Sequence, residues 1–238
     1  MLMLRHRRTA LVLALAIVVL AAAFFPDVAA AHGVAKRDAA FVQTINGPAI
    51  GPFLYLGAKH MVTGYDHLLF LVGVIFFLYR LKDVLLYVSL FTIGHSLTLL
   101  VGVLGGVHAN AYIIDAIIGL SVVYKAFENM GGFERGLGLG FRPNTRAAVM
   151  VFGLFHGFGL ATKLQELTLS PNGLITNIIS FNVGVEIGQF LALTAILIGL
   201  TYWRTHRGFL AHAFATNTAL MTGGFILMGY QLTGYFAQ

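Results

Sequence analysis

The sequence predicts an all-α membrane protein with six transmembrane helices in the mature chain and an N-terminal signal peptide. Composition is the first observation: 58% of the 238 residues are hydrophobic, 10% are charged, and the mean hydropathy is +0.84. The second is an apolar run behind a basic N-terminus, and the third is a series of six further apolar stretches separated by short polar segments. An ordinary soluble domain is excluded by this composition.

Residues 1–31 have the pattern of a signal peptide. Arg5, Arg7 and Arg8 precede an apolar run over residues 10–25, and Ala29, Ala30 and Ala31 follow it. Cleavage after Ala31 would leave His32 as the new N-terminus, where the amine and the imidazole could together chelate a metal; a solvated imidazole is the alternative. An uncleaved leader would form a seventh helix as a signal anchor.

The rest of the chain divides into an extracytoplasmic segment, residues 32–49, and a single polytopic helical domain, residues 50–238. A bilayer crossing requires about 20 apolar residues. The six predicted spans are residues 61–79, 84–104, 112–127, 147–167, 174–202 and 213–235.

The distribution of basic residues predicts the orientation, because lysine and arginine favour the cytoplasmic side of a membrane. Eight of them fall in or beside the odd-numbered loops, and four fall on the opposite side. The sequence therefore predicts a multi-pass protein of a bacterial-type inner membrane, with both mature termini on the extracytoplasmic side. The same scattered arrangement explains the net charge of +6 without nucleic acid as a partner.

Four histidines and three carboxylates lie within or next to the predicted spans and converge on their outer-to-middle layer. A charged residue at mid-bilayer costs about 2.5–3.5 kcal/mol even on the lenient insertion scale, so these groups need partners. The chain has no cysteine, and imidazole and carboxylate are the ligands that transition metals accept without thiolate. A metal site is therefore predicted, with a proton relay or structural hydrogen bonds as alternatives. Its candidate ligands are His60, Asp66, His67, His95, Asp115, His156 and Glu186.

The first span allows two arrangements of its histidines. On a continuous helix, His60 and His67 face the same way but lie about 10.5 Å apart along the axis, too far to bind one ion. Either Gly64 breaks the helix and brings them together, or they are successive stations along a path. Asp66 is expected to bind metal beside them or to orient an imidazole on a neighbouring helix.

Other polar residues are candidates for supporting roles. Thr92 and Ser96 share a polar stripe with His95, while Asn182 and Gln189 share one with Glu186. Hydroxyls in such positions often only satisfy backbone carbonyls. Glu128, at the cytoplasmic end of the third span, is a candidate for an inner exit, with a solvated helix end as the alternative.

The spacing of His60, Gly64, Asp66 and His67 resembles the first-helix motif of the HupE/UreJ hydrogenase and urease accessory proteins. Further segments look like the larger HupE-like branch of that family: GYDHLLFL (64–71), FTIGHSLT (91–98), FGLFHGFG (152–159) and FNVGVE (181–186). The resemblance implies a signal peptide, six mature helices and transport of nickel or cobalt that needs the first-helix histidines and aspartate. It also implies metalloenzyme maturation or metal-delivery proteins as partners. In hydrogenase-linked members, a glutamate follows the histidine-glycine motif of a later helix, whereas this sequence has Lys163 at that place. Copper and zinc therefore stay possible as the bound ion.

The leading functional hypothesis is a permease in which His60 captures a divalent ion and the other ligands pass it on. No G-x-x-x-x-G-K-[ST] motif is present, so transport would be passive or ion-coupled, with protons as the natural counter-ion. A membrane zinc-type hydrolase, using the same ligands to activate water, is the alternative. A third hypothesis is an accessory protein that binds metal without transporting it.

Overall fold

A computed structural model describes residues 36–138, 143–167 and 169–238, so the predicted leader and His32 lie outside the described residues. Regular structure in these ranges is helical. A π-helical turn, Gly132–Gly136, lies between the fifth and sixth α-helices. The α-helices are α1 (Lys36–Gln43), α2 (Ile50–Thr63), α3 (Tyr65–Ile75), α4 (Leu81–Gly105), α5 (Ala111–Asn129), α6 (Thr145–Gln165), α7 (Leu174–Arg204) and α8 (Phe209–Phe236).

Among the described helices, three are long and apolar enough to cross a membrane: α4, α6 and α7. They coincide with three of the six predicted spans. The other predicted spans fall on α5, on α8, and on a segment that the structure divides between α2 and α3. α5 carries Asp115, Lys125 and Glu128, which lowers its apolar character. Six spans therefore remain a prediction, whereas an all-helical protein with apolar spans is observed.

The helices pack as three close pairs around the short helix α3. α2 packs on α7, α4 on α6, and α5 on α8. α3 contacts a member of every pair, and 7 of its 11 residues are buried: Asp66, His67, Phe70, Leu71, Gly73, Val74 and Ile75. Side chains on α3 are therefore held at the centre of the bundle, where several helices can add ligands.

Glycines allow the paired helices to approach each other closely. Gly57 and Gly184 face each other's helices in the α2–α7 pair, Gly94 and Gly157 serve α4–α6, and Gly119 serves α5–α8. A Cβ atom at any of these positions would overlap backbone atoms of the partner helix. Small residues at helix interfaces are typical of membrane bundles, because they let backbones pack without intervening side chains.

Gly184→Ala is expected to destabilise the fold. The added methyl would overlap the carbonyl oxygen of Leu54 on α2, and such overpacking costs about 1–3 kcal/mol. Gly199→Ala, on the same helix with no atom within 4 Å of the new Cβ, is the matched control and should not lower stability, because alanine favours a helix over glycine. Thermal unfolding of the two purified variants would test this, and equal unfolding temperatures would contradict the packing described.

Polar side chains from other helices fix the far end of α3. Arg204 of α7 donates hydrogen bonds from Nη2 to the carbonyl oxygens of Ile75 and Phe76, the latter at 2.8 Å. Asn129 of α5 donates from Nδ2 to the carbonyl oxygen of Gly73 at 2.8 Å. These bonds satisfy carbonyl groups that the end of a helix leaves without intrahelical partners. These bonds therefore anchor the C-terminal end of α3, whereas His67 lies near its N-terminal end.

Candidate metal centre

Gly64 breaks the helix between the two first-span histidines. α2 ends at Thr63, Gly64 is extended with φ −72° and ψ 103°, and α3 begins at Tyr65. The amide of Gly64 still donates to the carbonyl oxygen of His60 at 2.9 Å. The break brings the imidazole centroids of His60 and His67 to 5.0 Å. Of the two arrangements that the sequence allowed, the structure adopts the one in which Gly64 brings the histidines together.

His60, His67 and His95 form a buried group that could hold a metal ion. One ligand atom from each lies within 4.8 Å of those from the other two, and the three residues are 7%, 0% and 0% exposed. They come from three helices, α2, α3 and α4. Nitrogens about 2.0–2.1 Å from one tetrahedral ion would lie about 3.4 Å apart, so side-chain movements on the order of 1 Å would complete coordination.

Asp66 orients the central imidazole. Its Oδ1 atom lies 3.0 Å from Nδ1 of His67, and both side chains are buried. A carboxylate accepts this hydrogen bond, so Nδ1 carries the proton and Nε2 keeps the lone pair that a metal requires. The sequence argument offered metal binding beside the histidines, or orientation of an imidazole on a neighbouring helix. The observed contact of Asp66 is with His67, its own neighbour in sequence.

His156, on α6, adds a fourth imidazole beside the group of three. Its ring centroid lies 5.0 Å from that of His67, and the residue is fully buried. Nδ1 lies 2.7 Å from the carbonyl oxygen of Phe152. Because a carbonyl oxygen only accepts, Nδ1 is the donor and Nε2 is the coordinating nitrogen. Four neutral imidazoles without thiolate suit zinc, copper, nickel and cobalt.

Comparison with known proteins gives this histidine cluster, His60, His67, His95 and His156, its family context. A model of the family described as HupE / UreJ protein matches residues 36–238. The chain belongs to the HupE/UreJ family. No match was found among curated proteins or solved structures. Membership links the chain to a metal-related accessory or transport role, and together with the apolar helices it indicates a membrane protein.

Two carboxylates predicted as ligands lie outside the group of three in this HupE/UreJ protein. Glu186 is exposed, whereas its neighbour Val185 is buried. Each residue turns an α-helix by about 100°, and the glycines of α7 direct the adjoining face toward α2. Asp115 is buried, but its Oδ2 atom lies 3.6 Å from Nζ of Lys163. That ammonium would repel a bound cation.

The predicted supporting residues divide between helix contacts and buried acceptors. Thr92 donates from Oγ1 to the carbonyl oxygen of Val88 at 3.0 Å, and Gln189 donates from Nε2 to the same oxygen at 3.3 Å, which joins α4 to α7. Among the described residues, no hydrogen-bond partner is found for the buried oxygens of Ser96, Asn182 and Gln189. Glu128 is not a solvated helix end, because Lys125 and Thr145 both donate to its carboxylate.

Aromatic residues lie directly against the histidine cluster, and the sequence argument did not include them in the site. The ring centroids of Phe70 and Phe91 lie 5.4 Å and 5.0 Å from that of His156. Helical spacing contained the signal: Phe70 follows His67 by three residues and Phe91 precedes His95 by four, and such residues share a helix face. The same helical spacing could have predicted the ion pair between Lys125 and Glu128.

Asp66→Asn is expected to weaken metal binding about tenfold, and Asp66→Ala about 100-fold. Asparagine keeps an oxygen that can accept from Nδ1 of His67 but removes the charge, whereas alanine removes both. Titration of the purified variants with Co²⁺ would measure the effect. Asp83→Asn, at the start of α4, is the control and should bind as the wild type does. Wild-type affinity in Asp66→Ala would contradict an orienting role.

Proposed function

We propose that this HupE/UreJ protein is a secondary permease for divalent transition-metal ions, with nickel or cobalt as substrate. The observation that carries the proposal is the histidine cluster, in which four different helices each supply one buried imidazole. Imidazole binds these ions well, and a site shared by several helices can open when the helices move.

The broken helix favours transport over hydrolysis. Irregular backbone at membrane depth is tolerated where it lines a binding site, and discontinuous helices form the substrate sites of many secondary transporters. The break at Gly64 places His60 and His67 on either side of such a discontinuity. A hydrolase needs an open position for water and substrate, whereas aromatic rings of Phe70, Phe91 and Phe181 crowd this cluster.

Orientation and coupling follow from charge. The end of the bundle that carries Lys125 on α5, Arg135 in the π-helical turn and Arg146 on α6 faces the cytoplasm in this proposal, since basic residues favour that side. Histidines must be neutral to bind an ion, so ion entry releases protons and proton exchange can drive the cycle. On the cytoplasmic side, metalloenzyme maturation or metal-delivery proteins would receive the ion.

Ion uptake into sealed proteoliposomes tests the permease directly, with nickel, cobalt, copper and zinc offered separately. The expected result is saturable flux of nickel or cobalt that is lost in His95→Ala, with Gly199→Ala as a control that retains flux. Saturable flux of only copper or zinc would keep the permease and change the substrate. Stoichiometric binding without flux above that of empty liposomes would overturn the proposal in favour of a non-transporting accessory protein.

A further inference from the structure

Glu186 lies on the exposed face of α7, near the middle of the helix. The midpoint of α7, between Leu174 and Arg204, is Gln189, which is three residues or about 4.5 Å away. The hydrocarbon core of a bilayer is about 30 Å thick, so a helix centred on it holds Glu186 deep in the core. The side chain of glutamate is too short to reach either interface from that depth. An ionisable group is therefore exposed where lipid would otherwise surround it.

Among the described helices that are long and apolar enough to cross a membrane, α4, α6 and α7, no other ionisable residue is exposed near the middle. His95 and His156 are buried. The remaining charged residues lie in first or last turns: Lys82, Asp83, Arg146, Lys163 and Arg204. An ionisable group at mid-membrane is costly unless another polar group meets it. The exposed face of α7 therefore requires a molecule that brings a polar group to the depth of Glu186.

Apolar side chains flank Glu186 along the same face of α7. Ile179, Val183 and Phe190 are 50%, 44% and 67% exposed, and the successive spacings from residue 179 to residue 190 are four, three and four. This spacing places four side chains in one stripe, as in helices that pack against each other in membranes. Gly184 turns another face of α7 toward α2, so α2 leaves the stripe open. These four residues are named the Glu186 stripe.

The depth of Glu186 favours a second copy of the chain as the occupant of the stripe. Copies insert with the same topology, so a twofold axis along the membrane normal sets identical residues at identical depths. A carboxyl group that keeps its proton both donates and accepts a hydrogen bond, so two Glu186 side chains satisfy each other. Ile179, Val183 and Phe190 would pack on their counterparts in the same way. The stripe is therefore complementary to itself in both its polar and its apolar residues.

We propose that the Glu186 stripe is the interface between two copies of this chain, in which the two Glu186 carboxyl groups hydrogen-bond to each other near the middle of the membrane. Lipid is as apolar as the stripe, so packing and interhelical hydrogen bonds drive association. The carboxyl pair supplies the hydrogen bonds, and the apolar residues set the register. Each copy keeps its own histidine cluster, because His60, His67 and His95 come from one chain. The inference does not depend on whether an ion is transported.

Fluorescence energy transfer in liposomes tests the inference on the full chain. The chain has no cysteine, so Gln238→Cys, at the exposed C-terminus, provides one site for a donor or an acceptor dye. Energy transfer is expected between labelled copies, falling only at high dilution with lipid. Glu186→Leu should weaken association about tenfold, whereas Glu186→Gln should retain it, since an amide also donates and accepts. Ile93→Ala, on the exposed face of α4, is the matched control and should associate as the wild type does.

Two results of this measurement would overturn the inference. One is energy transfer no greater than that of randomly mixed monomers at every dilution, which would leave the stripe to a different membrane protein with a polar group at that depth. The other is equal association of Glu186→Leu and the wild type. Co²⁺ affinity at the histidine cluster, expected to be unchanged in each variant, provides the check on folding.

Disulfide cross-linking in membranes supplies a second test that keeps Glu186 in place. Val183→Cys and Phe190→Cys are each expected to form linked dimers, because equivalent residues of the stripe face each other across the axis and a disulfide requires such proximity. Ile93→Cys, 55% exposed on α4, is the control and should stay monomeric. Iodine is the suitable oxidant, since copper-based oxidants would bind to the histidine cluster. Cross-linking of both stripe variants no faster than that of Ile93→Cys would overturn the inference.

Discussion

His67→Ala is expected to weaken metal binding by about 100-fold or more, the largest effect of any single substitution in this chain. His67 is the central imidazole: its ring centroid lies 5.0 Å from those of His60 and His156 and 5.8 Å from that of His95. Removing it deletes one ligand and the group that Asp66 orients. Losing even an orienting partner costs 10–100-fold in affinity, so losing a ligand should cost more. Isothermal titration with Ni²⁺ and Co²⁺ would measure the change.

Glu186→Gln is the matched control for that measurement. The sequence grouped Glu186 with the metal ligands, whereas the structure exposes it on α7. We therefore expect its affinity to stay within about twofold of the wild type, since surface groups away from a site have small effects. A loss in Glu186→Gln as large as that in His67→Ala would contradict the placement of the site.

Gly64→Ala is also expected to weaken metal binding strongly, although glycine offers no ligand. A Cβ built at Gly64 would lie 2.9 Å from Nδ1 of His67, 3.0 Å from the carbonyl oxygen of His60 and 3.1 Å from Oδ1 of Asp66. The methyl would push the imidazole away from its carboxylate, because these atoms cannot all keep their positions. Metal affinity should fall about 10-fold to 100-fold, the range found when an orienting partner is lost.

Gly51→Ala, in the same helix as His60, is the control for Gly64→Ala. Nothing lies within 4 Å of the Cβ that it would add, and alanine favours a helix by up to about 1 kcal/mol relative to glycine. Its metal affinity should equal that of the wild type. Both proteins should elute as folded species; equal affinity in the two variants would show that Gly64 does not position the site.

The sequence predicted an all-helical chain with apolar spans, and three of its candidate ligands, His60, His67 and His95, form the buried group that could hold a metal ion. Hydropathy placed α4, α6 and α7, and the motif around Asp66 indicated the family that the comparison then confirmed. Helical periodicity put His60 and His67 on one face, but it could not decide whether Gly64 interrupts the helix. That choice depends on the packing of α2 against α7 and of α3 against the centre of the bundle, which a local pattern does not contain.

The rotation of the helices about their axes explains why two predicted ligands, Glu186 and Asp115, lie apart from the histidines. Hydropathy predicts only how deep a residue lies in the membrane, and by that criterion Glu186 and Asp115 were grouped with the histidines. The face that α7 turns inward is set instead by its contact with α2 at Gly184, and Asp115 is engaged by Lys163 across α5 and α6. A cavity lined by Lys125 and Glu128 of α5 also includes residues of α3, α4 and α6 in its wall. No single stretch of sequence predicts it, because several helices must meet to form it.

X-ray absorption spectroscopy of the metal-loaded protein tests the central claim most directly, because imidazole ligands give a characteristic scattering pattern. The ion among nickel, cobalt, copper and zinc that binds most tightly should be used at one equivalent. The account predicts three or four imidazole nitrogens around that ion, with one fewer in His95→Ala. A spectrum with only oxygen ligands, unchanged in His95→Ala, would show that the ion binds elsewhere and would contradict the account.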